Sequence, residues 1–178
     1  MTSTALRVVV ITVSDRSAAG EREDRSGPVL AELVEGSGAE VVRRDVVPDD
    51  QHGLTTLLQS LCDSPTPPDL ILTTGGTGLG PRDRTPEATR AACQRLVPGI
   101  AETLRARSLG VTPHAMLSRA EAGVRGTTLI VNLPGSPGGA RDGWEVVAAV
   151  AAHAASQLRG GDHPSGPPAA VGAPSPAE

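Results

Sequence analysis

Residues 70–87 read Leu-Ile-Leu-Thr-Thr-Gly-Gly-Thr-Gly-Leu-Gly-Pro-Arg-Asp-Arg-Thr-Pro-Glu, and they leave the chain few ways to fold. A short apolar strand (Leu70, Ile71, Leu72) runs through Thr73 and Thr74 into a glycine cluster. After Asp83, the sequence Thr85-Pro86-Glu87 opens a helix, with Pro86 at the favoured first helical position and Thr85 as the expected cap. Glycines let successive backbone N–H groups face one anion, and the following helix N-terminus adds its partial positive charge. Strand, glycine loop and helix together predict a phosphate cradle at the carboxyl end of a buried strand.

Two common cradles are excluded. A Walker A loop needs Gly-Lys-Ser/Thr, and all 16 basic residues here are arginine. The dinucleotide fingerprint needs Gly-x-Gly-x-x-Gly running into a helix, whereas Gly76, Gly78 and Gly80 are spaced Gly-x-Gly-x-Gly and Pro81 interrupts.

The surrounding chain alternates strand and helix. Residues 6–13 are β-branched with apolar side chains on both faces, the pattern of a central parallel strand. Val29, Leu30, Leu33 and Val34 give a helix over 26–37, and 41–47 is a second strand. Leu54, Leu57, Leu58 and Leu61 follow i, i+3, i+4, i+7 and predict a helix over 51–62. Pro65, Pro67 and Pro68 mark a loop before the strand at 70. The helix opened by Thr85 is expected to reach Leu96, another covers 100–109, a fourth strand covers 127–131, and a long Ala/Val-rich helix covers 140–158. The expected fold is a three-layer α/β/α domain over residues 1–159 with a mostly parallel central sheet. Residues 160–178, rich in Gly, Pro, Ala and Ser, bury too little to offset their ordering entropy and are expected to form a disordered tail.

In such sheets ligands bind beyond the carboxyl ends of the strands. Four polar or glycine-rich exits collect there: Ser14-Asp15-Arg16, Pro48-Asp49-Asp50, residues 75–83 and residues 132–138. Asp49 and Asp83 are carboxylates at neighbouring exits, suited to Mg²⁺, which takes one or two carboxylates plus phosphate oxygens and water.

Composition narrows the partners. With no Phe, no Tyr, one Trp and a net charge of -4, the chain lacks the stacking platforms and the positive field of a nucleic-acid binder. The apolar run at 8–13 is too short to span a membrane. Cys62 and Cys93 show no metal spacing, nor do the four histidines, and the thiols read as reduced; the protein is expected to be cytoplasmic.

The exits, in order, resemble the MogA/MoaB family of molybdenum-cofactor biosynthesis proteins, which includes the G domains of gephyrin and its plant counterpart. The matching stretches are Thr12-Val13-Ser14-Asp15, Asp24-Arg25-Ser26-Gly27-Pro28, Val47-Pro48-Asp49, residues 70–89, Met116-Leu117-Ser118-Arg119, residues 122–126 and Asn132-Leu133-Pro134-Gly135, within roughly residues 5–158. The resemblance implies a homotrimeric molybdopterin adenylyltransferase. In that reaction the terminal phosphate of molybdopterin attacks the α-phosphate of Mg-ATP and pyrophosphate leaves. It implies catalytic roles for Asp49, Asp83 and Ser118, with Asp49 and Asp83 on Mg²⁺. It also implies substrate or nucleotide contacts at Ser14, Asp15, Gly75, Gly76, Thr77, Gly78, Thr85, Pro86, Glu87, Asn132, Pro134, Gly135 and Ser136. Arg82 and Arg119 are candidate anion partners, and hand-over of product to a molybdenum insertase is an expected transient contact. Two other readings stand beside it: a molybdopterin carrier or scaffold without catalysis, and the related domains of molybdenum insertases and of a pyrophosphatase-like competence protein.

Overall fold

A computed structural model describes residues 5–161. Its centre is a six-stranded sheet built from β1 (Arg7–Val13), β2 (Glu40–Val47), β3 (Leu70–Thr74), β4 (Arg95–Leu96), β5 (Ala122–Arg125) and β6 (Thr128–Leu133) in the order β2-β1-β3-β6-β5-β4. β2, β1, β3 and β6 are parallel neighbours; β5 pairs antiparallel with β6, and β4 pairs antiparallel with β5 at the edge.

The central strands are apolar on both faces because helices cover both. Val8, Val10, Leu70, Leu72, Leu129, Val131 and Leu133 face one layer, where they meet Leu30 and Val34 of α2 (Ser26–Gly36), Leu104 of α5 (Pro98–Leu109), and Trp144, Val147 and Ala151 of α6 (Pro137–Leu158). The alternate residues Val9, Ile11, Val13, Ile71 and Ile130 face the other layer. There they meet Leu54 and Leu58 of α3 (Gln51–Cys62) and Ala88 and Ala92 of α4 (Thr85–Ala92). This is the expected three-layer architecture, with period-two side chains dividing two cores across one sheet.

Several boundaries differ from the sequence reading. α4 stops at Ala92, four residues before the expected end at Leu96, and the chain turns extended at Cys93. Arg95 and Leu96 then pair with Gly123 and Val124, so a segment read as helix is an edge strand. β5 has no counterpart in the sequence reading, because four residues containing Gly123 carry too little apolar alternation to announce a strand. α6 begins at Pro137 rather than 140. A one-turn helix α1 (Asp15–Ala18) follows β1, and a 3-10 helix spans Pro113–Leu117. The expected tail lies outside the described residues except for Gly160 and Gly161, which close the α6 C-terminus through bonds to the Gln157 and Ser156 carbonyls.

Candidate active site

The four parallel strands deliver their exits to one edge. β1 leads to Ser14 and Asp15, β2 to Asp49, β3 to the glycine loop and β6 to Pro134. The chain leaves β1 for β2 on one side and returns to β3 on the other, which opens a crevice where the connections diverge. Across the β1 and β2 exits two aspartates exchange bonds. The Asp15 N–H donates to Asp49 Oδ2 at 2.8 Å, and the Asp49 N–H donates to Asp15 Oδ1 at 2.9 Å. Arg82 closes a fork on both Asp15 oxygens, each at 2.9 Å. That hydrogen bond holds the Asp15 carboxyl below its ordinary range. Asp49 is shifted the other way: burial comes first, and the nearby charges of Asp15 and Asp83 add to it. Asp49 is not the cap of α3; Asp50 is, accepting from the Gly53 N–H at 2.6 Å. Ser14 caps α1 by accepting from Ser17.

The glycine loop follows β3. Gly75 and Gly76 have φ of +104° and +64°, backbone that side-chain-bearing residues rarely adopt. A Cβ on Gly75 would strike the Val13 carbonyl. One on Gly76 would strike Thr85 Oγ1 and stand 2.9 Å from Asp49 Oδ1, so the loop passes directly over that carboxylate. Among the described residues the N–H groups of Gly76, Thr77 and Gly78 donate to no protein acceptor. Thr85 does not cap α4. Arg84 occupies the cap position, and Thr85 Oγ1 donates to the Gly75 carbonyl at 2.9 Å while its N–H donates to Gly76 O. Thr85 thus holds the cradle's shape, with Pro86 buried behind it. Asp83 turns back so that its Oδ2 accepts from the Gly80 N–H at 2.7 Å.

These contacts leave Oδ1 of Asp49 and Oδ1 of Asp83 without a protein hydrogen bond among the described residues. Both carboxylates line one hollow of about 220 Å³ together with Ser14, Gly75, Gly76 and Gly135. Two half-used carboxylates beside unpartnered N–H groups suit a hard divalent cation that brings phosphate oxygens with it. No cluster of three or more His, Cys, Asp or Glu side chains arranged for a metal occurs among the described residues, so any cation here completes its shell from phosphate and water.

At the β6 exit the expectation for Asn132 is corrected. Its side chain is fully buried, donates to Thr73 Oγ1 and Thr89 Oγ1 at 2.9 and 2.8 Å, and accepts from the Glu121 N–H. Both of its amide hydrogens are spent inside the fold, so it ties β3, α4 and β6 together and has no side-chain donor left for a ligand. The Pro134 carbonyl accepts from Thr74 Oγ1. A Cβ on Gly135 would stand 3.0 Å from Gly75 Cα, so the two exits touch main chain to main chain. Ser136 caps α6 through the Gly139 N–H at 3.1 Å.

The touching exits form a ridge. Gly75, Gly76, Gly135 and Pro137 face the acidic hollow; Thr77, Gly78, Pro134 and Ser136 face a second hollow of about 580 Å³. The larger one is lined by Leu104, Val111, Ala115 and Leu117 together with Ser118. Ser118 thus lines the larger hollow, whereas Asp49 and Asp83 line the acidic one. Arg119 turns its side chain to the protein, bonded to Gly78 O, Asp83 O and Glu87.

The sequence reading assigned no site role to Asp24 or Thr12. Both line the acidic hollow, and Asp24 accepts from Thr12 Oγ1 at 2.8 Å and from the Gly27 N–H at 3.0 Å. The available signal was an acidic residue just ahead of a helix start, opposite the end of the first strand.

Residues 9–153 match the family described as a probable molybdopterin binding domain. The chain is 39% identical over 144 residues to a molybdopterin adenylyltransferase of Helicobacter pylori, covering 80% of this chain and 81% of that one. It is 38% identical over 154 residues to a molybdenum cofactor biosynthesis bifunctional protein of Synechococcus elongatus, covering 86% of this chain and 48% of that one. Among solved structures, the molybdopterin biosynthesis enzyme MoaB of Thermus thermophilus superposes with a TM-score of 0.81 at 50% identity, covering 87% of this chain and 97% of that one.

Proposed function

The chain belongs to the probable molybdopterin binding domain family, and on that membership we propose that it is a molybdopterin adenylyltransferase acting in molybdenum-cofactor biosynthesis, as its Helicobacter relative is named. The reaction joins the terminal phosphate of molybdopterin to the α-phosphorus of ATP and breaks the bond to the β-phosphate, so that AMP is transferred and pyrophosphate leaves. The observation that carries the reading is the ridge with a hollow on either side: one acidic and lined by Gly75 and Gly76 of the glycine loop, the other larger and apolar. Two substrates that must bring their phosphates together need adjoining compartments separated by little.

The acidic hollow receives the triphosphate. There the Gly76 N–H meets phosphate oxygens without a lysine, and the Thr77 and Gly78 N–H groups meet them from the other side of the ridge. Asp49 and Asp83 would hold Mg²⁺, which when bound would supply charge neutralisation to the phosphates. Asp15 and Arg82 fix the Asp49 main chain, and Thr85 fixes the loop above it. The larger hollow has the volume for a heterocyclic ring system, and Ser118 there offers a hydroxyl to an anion crossing the ridge. Such transfers depend on positioning and charge more than on a covalent nucleophile, and the residues present supply both. A carrier would need the compartments but not the paired carboxylates.

The partners implied are ATP, molybdopterin and two further copies of the chain in a homotrimer. The existence of a bifunctional relative roughly twice as long supports hand-over of the adenylylated product to a following enzyme such as a molybdenum insertase. No helix among the described residues is long and apolar enough to cross a membrane. The test is direct: purified protein with molybdopterin and Mg-ATP should yield adenylyl-molybdopterin and pyrophosphate in equal amounts. ATP turnover without the adenylylated product, or neither, would overturn the assignment.

A further inference from the structure

The glycine loop carries its ligand groups on main chain, so something must hold that main chain still. Residues 77–83 have no strand or helix of their own, and Leu79 at the tip is 65% exposed. One side chain grips the loop at both ends. Arg119 Nε donates to the Gly78 carbonyl at 2.7 Å and Nη2 donates to the Asp83 carbonyl at 2.6 Å. Its Nη1 pairs with Glu87 in the first turn of α4, and its own N–H donates to the Thr77 carbonyl at 2.9 Å. Each of the three guanidinium nitrogens donates once, and both main-chain ends of the loop are referred to one rigid plane.

The bracket is continuous with chemistry on both sides of the ridge. Gly78 presents one of the unpartnered N–H groups; Asp83 presents the carboxylate with a free Oδ1; Ser118 immediately precedes Arg119 and stands in the larger hollow. Glu87 is committed to the same task. Its Oε2 is buried with no hydrogen-bond partner, a cost tolerated at the side of a bound guanidinium. Burial alone would lift the Glu87 carboxyl, but the Arg119 hydrogen bond and charge hold it below its ordinary range.

We propose that Arg119 is a positioning residue for adenylyl transfer, setting the spacing between the Gly78 N–H, the Asp83 carboxylate and the Ser118 hydroxyl without touching either substrate. The proposal rests on the adenylyltransferase reading. The role differs from that of an arginine that binds a substrate anion, since Nε, Nη1 and Nη2 each already donate to groups that shape the cradle. Lysine is a poor replacement, because a single ammonium cannot present a planar fork to separated acceptors.

The test uses the full-length chain and its Arg119→Ala and Arg119→Lys variants, with adenylyl-molybdopterin formation followed at varied ATP. A displacement near 1 Å costs about 100-fold in rate, so kcat of Arg119→Ala should fall about 100-fold while KM for ATP stays within about threefold. Arg119→Lys should remain at least about tenfold down, which covers the case in which the alanine variant fails to fold. Methylguanidinium added to Arg119→Ala should restore part of kcat, and methylammonium should not. Wild-type kcat in Arg119→Lys would overturn the proposal and leave the functional reading intact, as would a loss confined to KM. A wild-type chain that never forms product would sink both.

Discussion

Asp83 contributes a carboxylate to the hollow and almost nothing to the core, so its removal separates chemistry from folding. Asp83→Ala should melt close to wild type yet lose about 100-fold or more in adenylylation, the usual cost of deleting a charge-positioning group. Unchanged turnover in a folded variant would take Asp83 out of the site. Asp49 allows a test of opposite sign. Burial and its acidic neighbours raise its pKa, so the folded chain keeps that proton to higher pH than the unfolded chain does. Stability is therefore lost as pH rises from the unfolded value of about 3.9 through the folded one. Asp49→Asn removes the charge and can still accept from the Asp15 N–H. It should melt no lower than wild type at pH 7, with any advantage vanishing on acidification below pH 4, while activity falls. Melting curves from pH 3 to 8 check this, and a variant less stable at pH 7 would contradict it. Both carboxylates could be singled out from sequence because strand exits are readable. Asn132 could not be placed: only tertiary structure shows that Thr73, Thr89 and the Glu121 main chain consume its amide.

The elements that were legible are those with strong periodicity: β1, β3 and α3 announce themselves through apolar runs or an i, i+3, i+4, i+7 stripe. β4 and β5 do not, because two and four residues are too few to show a period, and their existence depends on pairing with each other and with β6. Gly123 is where that pairing is tightest. A Cβ there would stand 2.6 Å from Cys93 Sγ and 2.7 Å from the Arg95 carbonyl, and the carbonyl belongs to the β-ladder and cannot swing aside. Gly123→Ala should destabilise the chain by about 1–3 kcal/mol, measured by urea unfolding. An unchanged midpoint would mean the β4–β5 edge is looser than its register implies. Thr85 gives a second lesson of this kind. Thr-Pro-Glu correctly marks a helix start, yet the hydroxyl serves the loop before the helix and not the helix itself, since Gly75 brings a carbonyl within its reach.

For the molecule as a whole the resemblance to a trimeric family sets an expectation that periodicity cannot. Light scattering at micromolar concentration should give three chain masses, and a monomer mass would count against the trimer. The ridge between the hollows has a consequence for how this protein can change. Its crest is Gly75 against Gly135, main chain on main chain, so at that contact there is no side chain through which point mutation could thicken, thin or recolour it. Selection for a different donor or acceptor must then work from the outer walls or alter the loop's length. The distance across which the two phosphates meet stays fixed by peptide geometry while the rest of the sequence drifts.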